Sequence, residues 1–209
     1  GLTPPAVFIP LAETSGLILP LGQQVLEMAC RQLAAWQNEP RTAHLTLSVN
    51  VSARQFRQAD FVDRVVRVLA QTGAKGQGLK LELTESLMLD GVDSVIEKMT
   101  TLKALGLGFS LDDFGTGYSS LAYLKRLPLD QIKIDQSFVR DALHDGNDAA
   151  ITRTLLALGR TFGLSVVAEG VETEAQKDFL LGHGCDAFQG FLFSHPKEAH
   201  ELDLGHGED

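Results

Sequence analysis

Residues 110–121 read SLDDFGTGYSSL. Two adjacent carboxylates, Asp112 and Asp113, end an apolar run and are followed at once by Gly115 and Gly117. Adjacent like charges repel, and Asp favours neither a strand nor its pairing. A divalent cation facing the pair would offset that repulsion. Asn50, Glu82, Asp112, Lys133, Glu169 and Gln189 recur at similar places in other strand-like segments. Asn, Glu and Asp are hard oxygen donors suited to Mg²⁺ or Mn²⁺, and no His or Cys cluster competes with them. Asp112 and Asp113 together could serve two ions, and two ions about 3.5–4 Å apart are a standard device for in-line attack on a phosphodiester. Lys133 would then orient the attacking water or stabilise phosphate charge. Gly115 and Gly117 give a flexible loop beside the metals, with Thr116, Tyr118 and Ser119 available for contacts.

Those residues need elements to hold them. Strand-like segments span 45–52, 79–85, 107–113, 131–135, 165–169 and 185–190. Helical stripes run through 21–36, 61–69, 92–105 and 151–162, with shorter helices at 119–126 and 174–182. Strands joined by helical crossovers pair in parallel. Parity along each strand separates an apolar face from a small or polar one. Leu79, Leu81 and Leu83 oppose Lys80, Glu82 and Thr84, and Ile132 and Ile134 oppose Gln131, Lys133 and Asp135. An amphipathic antiparallel sheet with one wet face would alternate similarly, but helical crossovers cover both faces of a sheet. A polar inner face is therefore read as a barrel or cleft lined for a ligand. The candidate residues lie near the C-terminal strand ends, where ligands meet α/β folds.

Composition sets outer bounds. The 209 residues are 44% hydrophobic and 22% charged, ordinary for a soluble globular domain. They read as a single domain over 1–209 with a frayed tail after about residue 197. The net charge of −9 disfavours a nucleic-acid polymer as partner. No apolar run approaches the roughly 18 residues of a membrane span. Cys30 and Cys185, without metal-like spacing, are read as buried small hydrophobes of a reducing compartment, so a cytoplasmic location and no membrane contact are expected.

Other local patterns carry less. Asn50-Val51-Ser52 matches a glycosylation sequon but sits at a strand end. Asp113-Phe114-Gly115 matches a kinase tripeptide without its companion loops. The glycines of TGAKGQG fit a helix-to-strand turn, since no GK[ST] follows. His183 and His195 are read as loop residues, and Asp135 and Glu172 as either secondary site residues or ion-pair partners.

Six segments in order, NVS, ELTES, DDFGTGYSSL, KIDQSFV, AEGVET and FQGFLFSHP, resemble the EAL domain family of cyclic di-GMP phosphodiesterases. The resemblance runs from FIPLAE to about Pro196. It implies a TIM-like (β/α) barrel that hydrolyses cyclic di-GMP to linear pGpG with Mg²⁺ or Mn²⁺. It implies Asn50, Glu82 and Asp112 as metal ligands, and Asp113 as ligand of a second metal. Lys133 and Glu169 become partners of the metals and the nucleophilic water, Glu85 the anchor of the DDFGTGYSS loop, and Gln189 a substrate-binding pocket residue. It also implies a homodimer near that loop, with Leu121, Tyr123 and Leu124 as its apolar residues, and upstream sensory or signalling domains. The Glu-Ala-Leu signature is absent; in family members it lies shortly upstream of the segment that here reads GLTPPAVFIPLAE. Six strands are legible where a barrel has eight. The fold class is thus an α/β EAL-type barrel, N-terminally incomplete, and hydrolysis by this chain alone is expected to be impaired. Should it prove fully active, Glu13 is the first residue to test as a substitute ligand. The alternative reading is a non-catalytic cyclic di-GMP receptor or partner-binding module.

Overall fold

The computed structural model describes residues 3–89, 91–115 and 121–202. Two helices open it, α1 (Pro5–Ser15) and α2 (Ile18–Gln37), followed by β1 (Leu47–Val51), α3 (Ala53–Phe56) and α4 (Phe61–Thr72). Then come β2 (Leu79–Thr84), α5 (Val92–Ala104), β3 (Gly108–Phe114), α6 (Leu121–Leu124), β4 (Gln131–Ile134) and α7 (Gln136–Asp141). The chain continues through α8 (Gly146–Phe162), β5 (Ser165–Ala168), α9 (Glu174–Gly182) and β6 (Ala187–Phe188). The six strands form one sheet in sequence order, every pairing parallel. That is the order of a (β/α) barrel. Among the described residues β1 and β6 each have one neighbour, so the sheet is an incomplete barrel of that type.

The parity reading locates the core. Leu79, Leu81, Leu83, Phe109, Leu111, Ile132 and Ile134 are buried at 2% exposure or less, beneath the surrounding helices. Phe56 and Phe109 meet edge to face in that layer, with ring centres 6.4 Å apart. The opposite face carries Lys80, Glu82, Ser110, Asp112, Gln131 and Lys133, so the polar residues share the inside of the curved sheet.

Local chemistry explains most boundaries. α4 ends on Gly73 and α8 on Gly163, both in the left-handed conformation that suits glycine. Gly76 lies so close to the chain that a Cβ there would stand 2.2 Å from the Leu105 carbonyl oxygen, which fixes the 73–78 segment as a helix-to-strand turn. α9 begins on a capping box, Thr173 with Gln176. Ser52 and Gln55 form another at the start of α3, and this cap gives the NVS triplet a local structural use. Asp145 caps α8 and starts it earlier than its apolar stripe suggests. No helix among the described residues is long and apolar enough to cross a membrane.

Candidate functional site

The adjacent carboxylates occupy a β-bulge. In the β3–β4 pairing Leu111 opposes Ile132 and Phe114 opposes Ile134, so Asp112 and Asp113 together face Lys133. One residue is inserted on the bulged strand, which re-aims side chains that strict alternation would send to opposite faces. Asp113 has φ of +54°, the one non-glycine residue in the left-handed region among those described. This conformation costs on the order of 1–2 kcal/mol for a residue with a Cβ, and Asp and Asn tolerate it best. Gly115 follows at φ +100°, with Phe138 and Leu155 packed 3.2 Å from where a Cβ would stand.

Lys133 lies at the centre. It is 4% exposed, and its Nζ stands 2.8 Å from Glu82 Oε2 and 3.2 Å from Asp112 Oδ1, with Glu169 Oε1 in contact as a third partner. A buried ammonium is costly unless it is paired, and three carboxylates from three strand ends supply the pairing. Burial pushes the Lys133 pKa down, but hydrogen bonds to Glu169 and Glu82 outweigh it and hold the ammonium above its ordinary range. Burial raises the Glu169 carboxyl, and the Lys133 contact only partly opposes it. Asp113 is also raised, by burial and then by the neighbouring Asp112 and Asp135 carboxylates. Asp112, Asp113 and Glu169 each place one oxygen within 4.8 Å of the others, a group able to hold a metal ion. The donor set is all hard oxygen, which fits Mg²⁺ or Mn²⁺.

The remaining expected residues surround this centre unequally. Asn50 pairs in register with Glu82 on the neighbouring strand and is exposed at the sheet's β1 side. Gln189 stands just beyond β6, exposed, its backbone tied to Ala168 and Val171. Glu85 opens the 3₁₀ turn Glu85–Leu89, and its Oε2 is buried with no hydrogen-bond partner among the described residues. The loop it is expected to anchor lies largely outside the described residues, with Thr116, Tyr118 and Ser119. Asp135 caps α7 by accepting from the Ser137 N–H at 2.9 Å and stands beside Asp113, a link absent from the sequence reading. Glu13 is exposed on α1, and its carbonyl oxygen accepts from Arg54. Leu124 is buried at 3% and so is unavailable to a partner, which corrects the expectation for that residue; Tyr123 is 40% exposed. His183 caps the end of α9 and His195 packs on Phe191, each in a local structural contact.

A family model described as the EAL domain matches residues 1–196. The chain belongs to the EAL domain family. It is 48% identical over 202 residues to the bifunctional diguanylate cyclase/cyclic di-GMP phosphodiesterase MucR of Pseudomonas aeruginosa, covering 97% of this chain and 29% of that protein. It is 43% identical to the cyclic di-GMP phosphodiesterase NbdA of the same organism, over 94% of this chain and 25% of that protein. The chain thus spans under a third of the length of these curated relatives. Among solved structures, the PaMucR phosphodiesterase in complex with c-di-GMP superposes with a TM-score of 0.92 at 48% identity, covering 96% of this chain and 81% of that one. This EAL domain therefore shares its fold with a phosphodiesterase of known structure.

Proposed function

We propose that this EAL domain is the hydrolytic part of a cyclic di-GMP phosphodiesterase, opening the cyclic dinucleotide to linear pGpG with Mg²⁺ or Mn²⁺. The observation that carries the reading is the bulge that sets Asp112 and Asp113 opposite Lys133, with Glu169 in reach, in a chain 48% identical to a cyclic di-GMP phosphodiesterase. Asn50, Glu82 and Asp112 would hold one ion, and Asp113 with Asp112 a second. Bound there, the ions would polarise phosphate oxygens and make a coordinated water more acidic.

The chain's own groups have distinct tasks. Lys133, a permanent cation buried among carboxylates, orients them and offers positive charge to the phosphate as charge develops in the transition state. Glu169, with its raised pKa, is suited to take a proton from the attacking water. Water attacks phosphorus, the bond to the 3′ oxygen breaks, and that oxygen leaves with a proton, so the phosphate stays on the 5′ side as pGpG requires. Gln189, at the rim, contacts substrate. Glu85, with its buried unpartnered oxygen, anchors the loop after β3. The domain works in the cytoplasm as a homodimer, attached to sensory or signalling domains.

Product analysis tests the reading. Cyclic di-GMP incubated with the protein and Mg²⁺ or Mn²⁺ should yield linear pGpG, and Ca²⁺ should inhibit, because its longer, looser coordination misplaces the water. Tight binding of cyclic di-GMP with no product under either metal, even at stoichiometric protein and long incubation, would replace the enzyme by a receptor.

A further inference from the structure

Two side-chain bridges cross β3 on the inner face of the sheet, and the proposed reaction uses only one. The upper bridge joins Lys133 on β4 to Glu82 on β2 at 2.8 Å. The lower one joins Lys80 Nζ on β2 to Gln131 Oε1 on β4. Lys80 and Glu82 are two residues apart on β2, as are Gln131 and Lys133 on β4, so the bridges share one diagonal and lie a strand step of about 6.6 Å apart. Their polarity is opposite, with the lower cation on β2 and the upper on β4.

Gly108 lies against the lower bridge. It pairs in register with Lys80, and a Cβ there would stand 3.6 Å from Lys80 Cγ and 3.7 Å from Cε, so the lysine stem crosses bare backbone. Between the bridges Ser110 is fully buried, in register with both Glu82 and Gln131, and its Oγ has no hydrogen-bond partner among the described residues. Lys80 is half-buried, its Nζ held by Gln131 Oε1 on the inner face. Above it Glu82, Asp112, Asp113 and Glu169 bring four carboxylates against the single cation Lys133.

We infer that Lys80 is a positioning residue for this carboxylate cluster, a fixed cation beneath it that offsets carboxylate repulsion and limits how tightly a divalent cation is held. The inference rests on the metal reading of the site given above. A unit charge one strand step, about 6.6 Å, from a divalent one would change binding by roughly sevenfold even at the dielectric of bulk water, and by more in a less polar interior.

Calorimetric titration of the full chain with Mn²⁺ tests it without recourse to activity. Lys80→Met keeps the stem and removes the charge, and should bind Mn²⁺ at least fivefold more tightly than the parent. Lys80→Arg should bind within twofold of the parent. Without metal, Lys80→Met should melt lower than the parent, and saturating Mn²⁺ should narrow that gap. A purely structural bridge would lower the melting temperature and leave Mn²⁺ affinity where it was, and equal affinity in parent and Lys80→Met would overturn the proposal. If Lys80→Met does not fold, Lys80→Gln carries the same comparison. Absence of saturable Mn²⁺ binding by the parent would instead overturn the metal reading of the site, a result distinct from equal binding by parent and variant.

Discussion

Lys133 shows how one buried charge organises its neighbours. It touches Glu82, Asp112 and Glu169 at once, and burial together with mutual repulsion raises the pKa of Glu169 and Asp113. Groups with raised folded pKa values favour folding on the acid side, and that contribution is lost as pH rises through the folded values. A divalent cation requires the same groups deprotonated. Mn²⁺ binding should therefore release protons and tighten as pH rises through and above the ordinary carboxylate range. Calorimetry in two buffers of different ionisation heat reads the proton release, and a flat affinity with no buffer dependence would contradict the assignment. Lys133→Ala should lower kcat by at least roughly a hundredfold while KM changes little, as expected of a group acting mainly in the transition state. A loss confined to KM, or to the yield of folded protein, would make Lys133 a structural ion-pair partner. Cys30 and Cys185 mark the other extreme of burial, both fully buried, with burial pushing the Cys30 thiol up to about 11. Neither should react with a thiol reagent on the native protein within the time that the unfolded chain reacts fully.

At the scale of the element, the bulge in β3 is the deciding feature, and it carries strain. Asp113→Asn removes a carboxylate from a crowded site and places there the other residue type that tolerates positive φ. Without metal the variant should melt higher by about 2–4 °C, the shift expected for roughly 1 kcal/mol in a domain of this size. It should also lose much of the stabilisation that Mn²⁺ gives the parent. A lower melting point without metal would show that Asp113 is placed by favourable contacts rather than held against repulsion. The bulge also marks where sequence legibility stopped. Strict alternation assigned Lys80, Glu82, Gln131 and Lys133 to the polar face correctly, because strand periodicity is geometric. It could not place Asp113 beside Asp112, since an inserted residue is visible only in the pairing with the next strand. α1 escaped for another reason: PAVFIPLA is apolar on every side, so no stripe betrays a helix, and its prolines suggest a break. β6 is only two residues long, Ala187–Phe188, where the sequence suggested 185–190, and Gly190 lies beyond it at a point where a Cβ would meet the Val171 backbone at 2.2 Å.

At the scale of the molecule, β1 and β6 are the edge strands of the sheet among the described residues, and an edge strand can pair with another chain. Val7 and Leu11 on α1, Leu17 just before α2, Val25 and Met28 on α2, and Tyr123 on α6 are exposed. Sedimentation equilibrium should show mass rising with concentration, and a monomer throughout at high micromolar protein would remove the homodimer. Hydrolysis of cyclic di-GMP by the cluster around Lys133, with a divalent cation, is the proposal on which the other roles depend. Its most direct test is a side-by-side assay of the parent and Asp112→Asn, each at stoichiometric concentration with cyclic di-GMP and excess Mn²⁺, so that even strongly impaired turnover is seen. The parent should form linear pGpG only when Mn²⁺ is present, and Asp112→Asn should be at least roughly a hundredfold slower, as for the loss of a group that contacts the reacting atoms. Product formation by Asp112→Asn within threefold of the parent, or by the parent without any divalent cation, would contradict it.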